Sequence, residues 1–100
     1  MIKQIQLVDN QVQAALQGAI YVEEAAALRE TLLDYIEKGH NTFLIDLESV
    51  DYIDSSGLGT LVSIQKQALQ HGGGVTLKGI HGLVKDVFEL TRLDKVFKIQ

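Results

Sequence analysis

The sequence predicts an α/β domain in which a mixed β-sheet, an N-terminal hairpin plus parallel crossovers, is covered by α-helices. Three observations carry this. The opening residues alternate polar and apolar side chains with a period of two around an Asp9-Asn10 pair. From Glu23 onward, stretches with the helical period alternate with short apolar runs, the pattern of strands joined by crossover helices. The chain has 100 residues, enough for a single domain spanning 1–100 and too few for a second.

Lys3 to Val8 sets Gln4 and Gln6 against Ile5 and Leu7 and reads as a strand. Asp9-Asn10 tolerates the positive φ angles of a tight hairpin turn. A second strand follows over Gln11 to Gln17, with Val12, Ala14 and Leu16 on one face, and Gly18 is expected to end it. From Glu23 to Lys38 the period becomes helical, and Ala25, Leu28, Leu32, Tyr35 and Ile36 form one apolar stripe. Glu23 and Glu24 suit the positive end of the helix dipole, Asp34 stands one turn before Lys38, and Gly39 occupies the place of a left-handed terminating residue. No Ser, Thr, Asp or Asn caps the start.

Thr42 to Leu47 is apolar without clean alternation, as expected for a strand covered on both faces, and a loop should follow it. Asp54-Ser55-Ser56-Gly57-Leu58-Gly59 then opens a second helix reaching about Leu69. Leu58, Leu61, Val62, Ile64, Ala68 and Leu69 form its apolar side, and Thr60, Ser63, Lys66, Gln67 and Gln70 the other. Gly72-Gly73-Gly74 makes a tight connection to a short strand over Val75 to Ile80. A third helix fits Leu83 to Leu90, with Leu83, Val84, Val87 and Leu90 at helical spacing, and Val96 to Ile99 adds a last short strand.

Composition narrows the chemistry. The chain is 46% hydrophobic and 22% charged, with 13 acidic and 9 basic residues and a net charge of −4. That is too apolar for a disordered chain, and too acidic, with only Arg29 and Arg92 as arginines, to neutralise nucleic-acid phosphates. The absence of cysteine removes disulfides, thiolate metal sites and cysteine nucleophiles. The N-terminus lacks the pattern of a signal peptide, and no apolar run approaches the roughly 20 residues of a membrane span. The expected compartment is the cytoplasm, without membrane insertion.

In a sheet of parallel crossovers, strand C-termini and the N-termini of the following helices share one edge, where reactive groups gather. The Tyr21 to Glu24 turn, the Asp51 to Gly57 loop and His81-Gly82 belong to that edge, and His40 and His71 to the opposite one. Asp54-Ser55-Ser56 reads first as helix capping, worth about 1 kcal/mol, with Gly57 and Gly59 letting the first turn approach the sheet. It also places a hydroxyl where free N–H groups and the dipole stabilise a phosphoryl group, beside the opposing charges of Asp51 and Asp54. A phosphate there adds about −1.5 to −2 charges, enough to abolish docking of a complementary partner.

Other motifs are incomplete. Gly57-Leu58-Gly59 begins a G-x-G, but position 62 is Val, so the dinucleotide fingerprint fails. No Gly-Lys-Ser/Thr follows Gly72-Gly73-Gly74. A serine hydrolase would need His81 with Asp86 or Asp54 as its base, yet Ser55 and Ser56 lack the G-x-S-x-G elbow. Asp46, Glu48, Asp51 and Asp54 offer oxygen ligands for Mg²⁺, with a solvated acidic loop as the plainer reading. No cofactor is expected.

Phe43-Leu44-Ile45-Asp46-Leu47, then Val50-Asp51-Tyr52-Ile53-Asp54-Ser55-Ser56-Gly57-Leu58-Gly59-Thr60-Leu61, resembles the STAS domain family, in particular its bacterial anti-sigma-factor antagonists. Leu90-Thr91-Arg92-Leu93-Asp94-Lys95-Val96-Phe97-Lys98-Ile99 matches the family's closing pattern, so the resemblance covers essentially the whole chain. It implies a STAS-like fold and a non-enzymatic partner-switching phosphoprotein in transcription regulation. Such proteins bind an anti-sigma factor, often a GHKL-type serine kinase. The kinase phosphorylates the serine after the motif's aspartate, here Ser55 with Ser56 as the neighbouring alternative, and a PP2C-type phosphatase reverses this. Asp54 is implied to shape that site. With Asp54, the expected partner surface comprises Gly57, Thr60, Ser63, Gln67, Tyr21, Glu23 and Glu24. Family members commonly carry an acidic Gly-Glu-Leu-Asp-like segment before the first helix. Here that place holds Gly18-Ala19-Ile20-Tyr21, with the acids displaced to Glu23 and Glu24. A second role within the family is an unmodified subunit of a larger assembly, such as a lipid transporter. The oligomeric state is left open.

Overall fold

The computed structural model describes residues 1–100. β1 (Ile2–Val8) and β2 (Gln11–Ile20) pair antiparallel through a turn in which Asp9 and Asn10 both have positive φ, 49° and 67°. That is the left-handed geometry whose twist matches a hairpin. α1 (Val22–Glu37) leads to β3 (Thr42–Ile53), α2 (Ser55–Gln70) to β4 (Gly74–Lys78), and α3 (Gly82–Leu90) through a short 3-10 turn at Leu93–Lys95 to β5 (Lys98–Ile99). The five strands lie in the order β1-β2-β3-β4-β5, parallel from β2 onward.

This order never reverses, so crossovers of one hand place every helix on the same face. The sheet is therefore covered on one side only, which corrects the expectation for β3. Phe43, Ile45 and Leu47 are buried, whereas Leu44 and Asp46 point to the open face and are half-buried. Gln4, Gln6, Gln13, Ala15 and Lys78 line a shallow depression on that open face with them. The covered face and the helices close one cluster of 22 buried apolar residues, in which Phe43, Phe88, Leu16, Ile20 and Ile53 are among the largest fully buried side chains.

Two strands outrun their expected ends. Gly18 does not stop β2. Its φ of +79° is absorbed where the β2–β3 register shifts, and Ala19 and Ile20 resume pairing with Tyr52 and Ile53. β3 likewise continues through the expected loop. Its buried positions after Leu47 are Val50 and Ile53, a spacing of three that the bulged register allows and strict alternation conceals.

The helix stripes hold with local corrections. Ala25, Leu28, Leu32 and Ile36 of α1 are buried, and Tyr35 partly so. At its far end Lys38 Nζ donates to Asp34 Oδ2 at 2.9 Å, and that hydrogen bond and charge raise the lysine pKa above its ordinary value. Gly39 follows with φ +93°. On α2, Leu69 turns outward, while Gln65, absent from the expected core, is buried. Gln65 Nε2 donates to Val96 O at 2.8 Å, and its Oε1 accepts from Val75 N at 2.7 Å. On α3, Val84 and Phe88 face the core, whereas Leu83 and Leu90 are 62% and 84% exposed. The Gly72–Gly74 connection is as tight as expected, for a Cβ on Gly73 would stand 1.9 Å from Asn41 O. No helix is long and apolar enough to cross a membrane.

Candidate functional site at the carboxyl edge of the sheet

The ends of β2 and β3 set the site. Ile20 pairs with Ile53, and Asp54 N donates to Ile20 O at 3.1 Å, so the two strands leave the sheet side by side. Tyr21 then caps α1 and Asp54 caps α2, which brings Tyr21 to the same edge as Ser55. Asp54 Oδ1 accepts from Ser56 N at 2.9 Å and from Gly57 N at 3.1 Å, satisfying two of the free donors at the helix start. Gly57 seals the junction beneath, because a Cβ there would lie 2.5 Å from Ile53 Cγ1 and 3.0 Å from Ile20 Cγ2. Ser55 stands exposed on this fixed base, whereas Ser56 is half-buried. That difference in exposure separates two serines that sequence leaves equivalent.

The remaining expected contact residues divide. Tyr21 and Glu23 are exposed, and Glu24, half-buried, closes the start of α1 by accepting the Tyr21 N–H on Oε1 at 3.0 Å. Gly57 is buried and contributes packing rather than contact surface. Thr60 is not on an open polar face. It is 7% exposed and its Oγ1 reaches Ala25 O at 3.4 Å, because this side of α2 packs on α1. One turn on, Ser63 Oγ accepts from Arg29 Nη1 at 3.1 Å, and Gln67 is half-buried. The Ser63–Gln67 side is therefore the helix–helix seam. Gly59, in contrast to Gly57, has open space where a Cβ would go.

One member of the edge escapes a reading by motif. Tyr52, near the end of the β2–β3 pairing and opposite Ala19, packs against Tyr21 with ring centroids 5.7 Å apart and planes tilted by 44°. Its position between Asp51 and the buried Ile53 was the available signal. Across Gly18–Glu24 and Glu48–Gly59 the edge carries Glu23, Glu24, Glu48, Asp51 and Asp54 and no lysine or arginine.

The other candidate groups are engaged elsewhere. His81 does reach this edge, but its Nε2 lies 2.7 Å from Glu48 O, so the ring donates to a strand carbonyl rather than serving either serine. Asp46 lies on the open sheet face, where Oδ1 accepts from Glu48 N at 2.9 Å and Oδ2 lies 3.9 Å from Lys78 Nζ. It does not join Asp51 and Asp54, and no three His, Asp or Glu side chains converge to hold a metal ion. His40, against Asn10, and His71, against Gln67 O, lie at the opposite edge as expected.

Comparison with known proteins places this geometry. Residues 3–100 match the STAS domain family. The anti-sigma-B factor antagonist of Bacillus subtilis is 33% identical over 91 residues, spanning 91% of this chain and 83% of that protein. Among solved structures, the Thermotoga maritima protein TM1081 superposes with a TM-score of 0.90 at 31% identity, over 96% of this chain and 83% of that one. The phosphorylated form of the Bacillus cell fate determinant SpoIIAA superposes with a TM-score of 0.79 over 97% of this chain and 89% of that one, and at 20% identity the likeness is one of fold.

Proposed function

Since the chain belongs to the STAS domain family, and within it to the anti-sigma factor antagonists, we propose that it is a docking switch set by phosphorylation of Ser55. Unmodified, it binds an anti-sigma factor through the carboxyl edge and so frees a sigma factor for transcription. A serine kinase of the GHKL type, the anti-sigma factor itself in the simplest arrangement, transfers the γ-phosphoryl group of ATP to Ser55. The Oγ–P bond forms as the bond to ADP breaks, and the hydroxyl proton leaves to a base on the kinase. A PP2C-type phosphatase then returns the serine by hydrolysis, releasing inorganic phosphate.

The observation that carries this reading is the exposed Ser55 hydroxyl on a rigid junction. Asp54, Gly57, Ile53 and Ile20 fix the backbone beneath it, so a kinase meets one geometry and a phosphate leaves the core untouched. A phosphate brings about −1.5 to −2 charges and strongly hydrated oxygens to the centre of the contact surface. Burying such a group without dedicated partners costs more than most interfaces return, so docking fails.

Phosphosite mass spectrometry of the protein recovered from its own cells tests the reading. The expected result is phosphate on Ser55 under some growth conditions, together with Ser55→Ala binding the anti-sigma factor at least about tenfold more tightly than Ser55→Glu. A bare Ser55 under every condition, or equal binding of the two variants, overturns it in favour of an unmodified subunit of a larger assembly.

A further inference from the structure

The two exposed tyrosine side chains of the protein both lie at the edge around Ser55. Tyr21 is 51% exposed, Tyr52 39% and Val22 64%, and the two tyrosines hold each other at 5.7 Å. Exposed aromatic surface gains by being covered, and a tyrosine already in contact with another gives up less side-chain freedom on docking than a solitary one. The residues around it are acidic: Glu23 and Asp51 are exposed, and neither flanking segment contains a lysine or arginine.

We propose that Tyr21 and Tyr52 are the specificity-determining anchor of the docking edge, and that they receive an arginine- or lysine-bearing apolar patch on a protein partner. This rests on the docking-switch reading and adds the partner's chemistry to it. Charge chooses among occupants. A nucleic acid or an anionic membrane is repelled by the carboxylates. A second copy of this chain, meeting the edge through a two-fold axis, would set Glu23 and Asp51 against themselves. A guanidinium or ammonium group satisfies both features at once, lying over the tyrosine faces and pairing with the carboxylates at the rim. The strand order never reverses, so this edge lacks the topological switch point at which open α/β sheets usually hold small ligands. The anchor also explains why added negative charge releases a basic partner. The phosphate forces hydrated oxygens beside an apolar contact, and the lost burial outweighs a screened attraction.

Photocrosslinking in the cell of origin tests this, with p-benzoylphenylalanine placed in the full chain at Tyr52 and, as controls, at Gln6 on the open sheet face and Gln67 on the helix seam. The expected result is an adduct from position 52 to another protein, within a peptide containing Arg or Lys, and none from position 6. An adduct to a second copy of this chain, a peptide without Arg or Lys, or capture only from position 6 or 67 overturns the anchor. No adduct from any position overturns both the anchor and the docking reading beneath it.

With the captured protein purified, Tyr21→Ala and Tyr52→Ala should each weaken binding by about tenfold or more, and Tyr52→Phe by less than about threefold. Raising salt from about 50 to about 300 mM should weaken it further. Alanine variants within about twofold of the parent, or affinity indifferent to salt, overturn the proposal. Ser55→Glu in the same assay separates the two ideas. Tyrosine variants that fail while Ser55→Glu binds normally leave the anchor and remove the phosphoswitch, and the reverse pattern does the opposite.

Discussion

Asp54 Oδ1 accepts a hydrogen bond from Ser56 N at 2.9 Å, so the carboxylate beside the exposed serine is bound to the helix that carries it. Its second bond, from Gly57 N at 3.1 Å, makes Asp54 a cap before it is anything else. Asp54→Asn keeps an acceptor in the same place and should leave stability almost unchanged. Asp54→Ala should cost about 0.5–2 kcal/mol, lowering Tm by roughly 4–8 °C per kcal/mol in a domain of this size. Thermal unfolding followed by circular dichroism measures both. Equal losses for Asn and Ala would show that the charge, and not the cap, holds the junction.

Gly57 and Gly59 lie two residues apart on α2 and should respond with opposite signs. A Cβ on Gly57 would meet Ile53 Cγ1 at 2.5 Å, and Ile53 is fully enclosed, so Gly57→Ala should destabilise by about 1–3 kcal/mol through overpacking. Gly59 has open space and a helical backbone, so Gly59→Ala should stabilise by about 0.5–1 kcal/mol. Urea titration of the two variants decides it. A stabilised Gly57→Ala would mean that the strand and helix are not packed as closely as the structure shows.

The contrast between these glycines marks what the sequence makes legible. Periodicity reports which side of an element is apolar, and it locates β1, β2, α1 and α2, while the Asp54-Ser55-Ser56 capping pattern marks where α2 begins. It is silent on bulges, and so it ends β3 at Leu47, although Val50 and Ile53 carry the strand six residues further into the core. It treats polar residues as solvent-facing, which fails for Thr60 at the helix seam and for Gln65 beneath it. It treats apolar residues as buried, which fails for Leu83 and Leu90, because the face α3 turns to the core carries Val84 and Phe88, with Val87 partly buried beside them. The Tyr21–Tyr52 pair joins residues 31 positions apart in a register no local pattern encodes.

Gln65 joins three parts of the chain through one carboxamide. It accepts from Val75 N at the start of β4 and donates to Val96 O before β5. Replacing it with Leu preserves bulk but strips the buried Val75 N–H of its partner, a loss of about 1–3 kcal/mol. Native-state hydrogen exchange should show faster exchange at Val75 than at Leu61, whose backbone environment in α2 is unaffected. Unchanged protection at Val75 would show that the N–H finds another acceptor.

A switch read by a partner must change binding without changing the fold, and the placement of Ser55 makes that separable. The side chain is exposed, while everything that fixes its backbone lies below it in Asp54, Gly57 and the Ile20–Ile53 pair. A negative charge in the first turn of a helix gains about 0.3–1 kcal/mol from the dipole. Repulsion from Asp51 and Asp54 opposes that gain, so Ser55→Glu should leave stability within about 0.5 kcal/mol of the parent. Ser56 is half-buried, and Ser56→Glu should lose more, because its carboxylate must displace neighbours or give up hydration. Amide shift changes in Ser55→Glu should stay within residues 20–24 and 51–60, the two segments that meet at the edge. Shifts spreading through the strands to the Asp9-Asn10 turn would mean instead that the charge rearranges the sheet, and that the partner reads a change of shape.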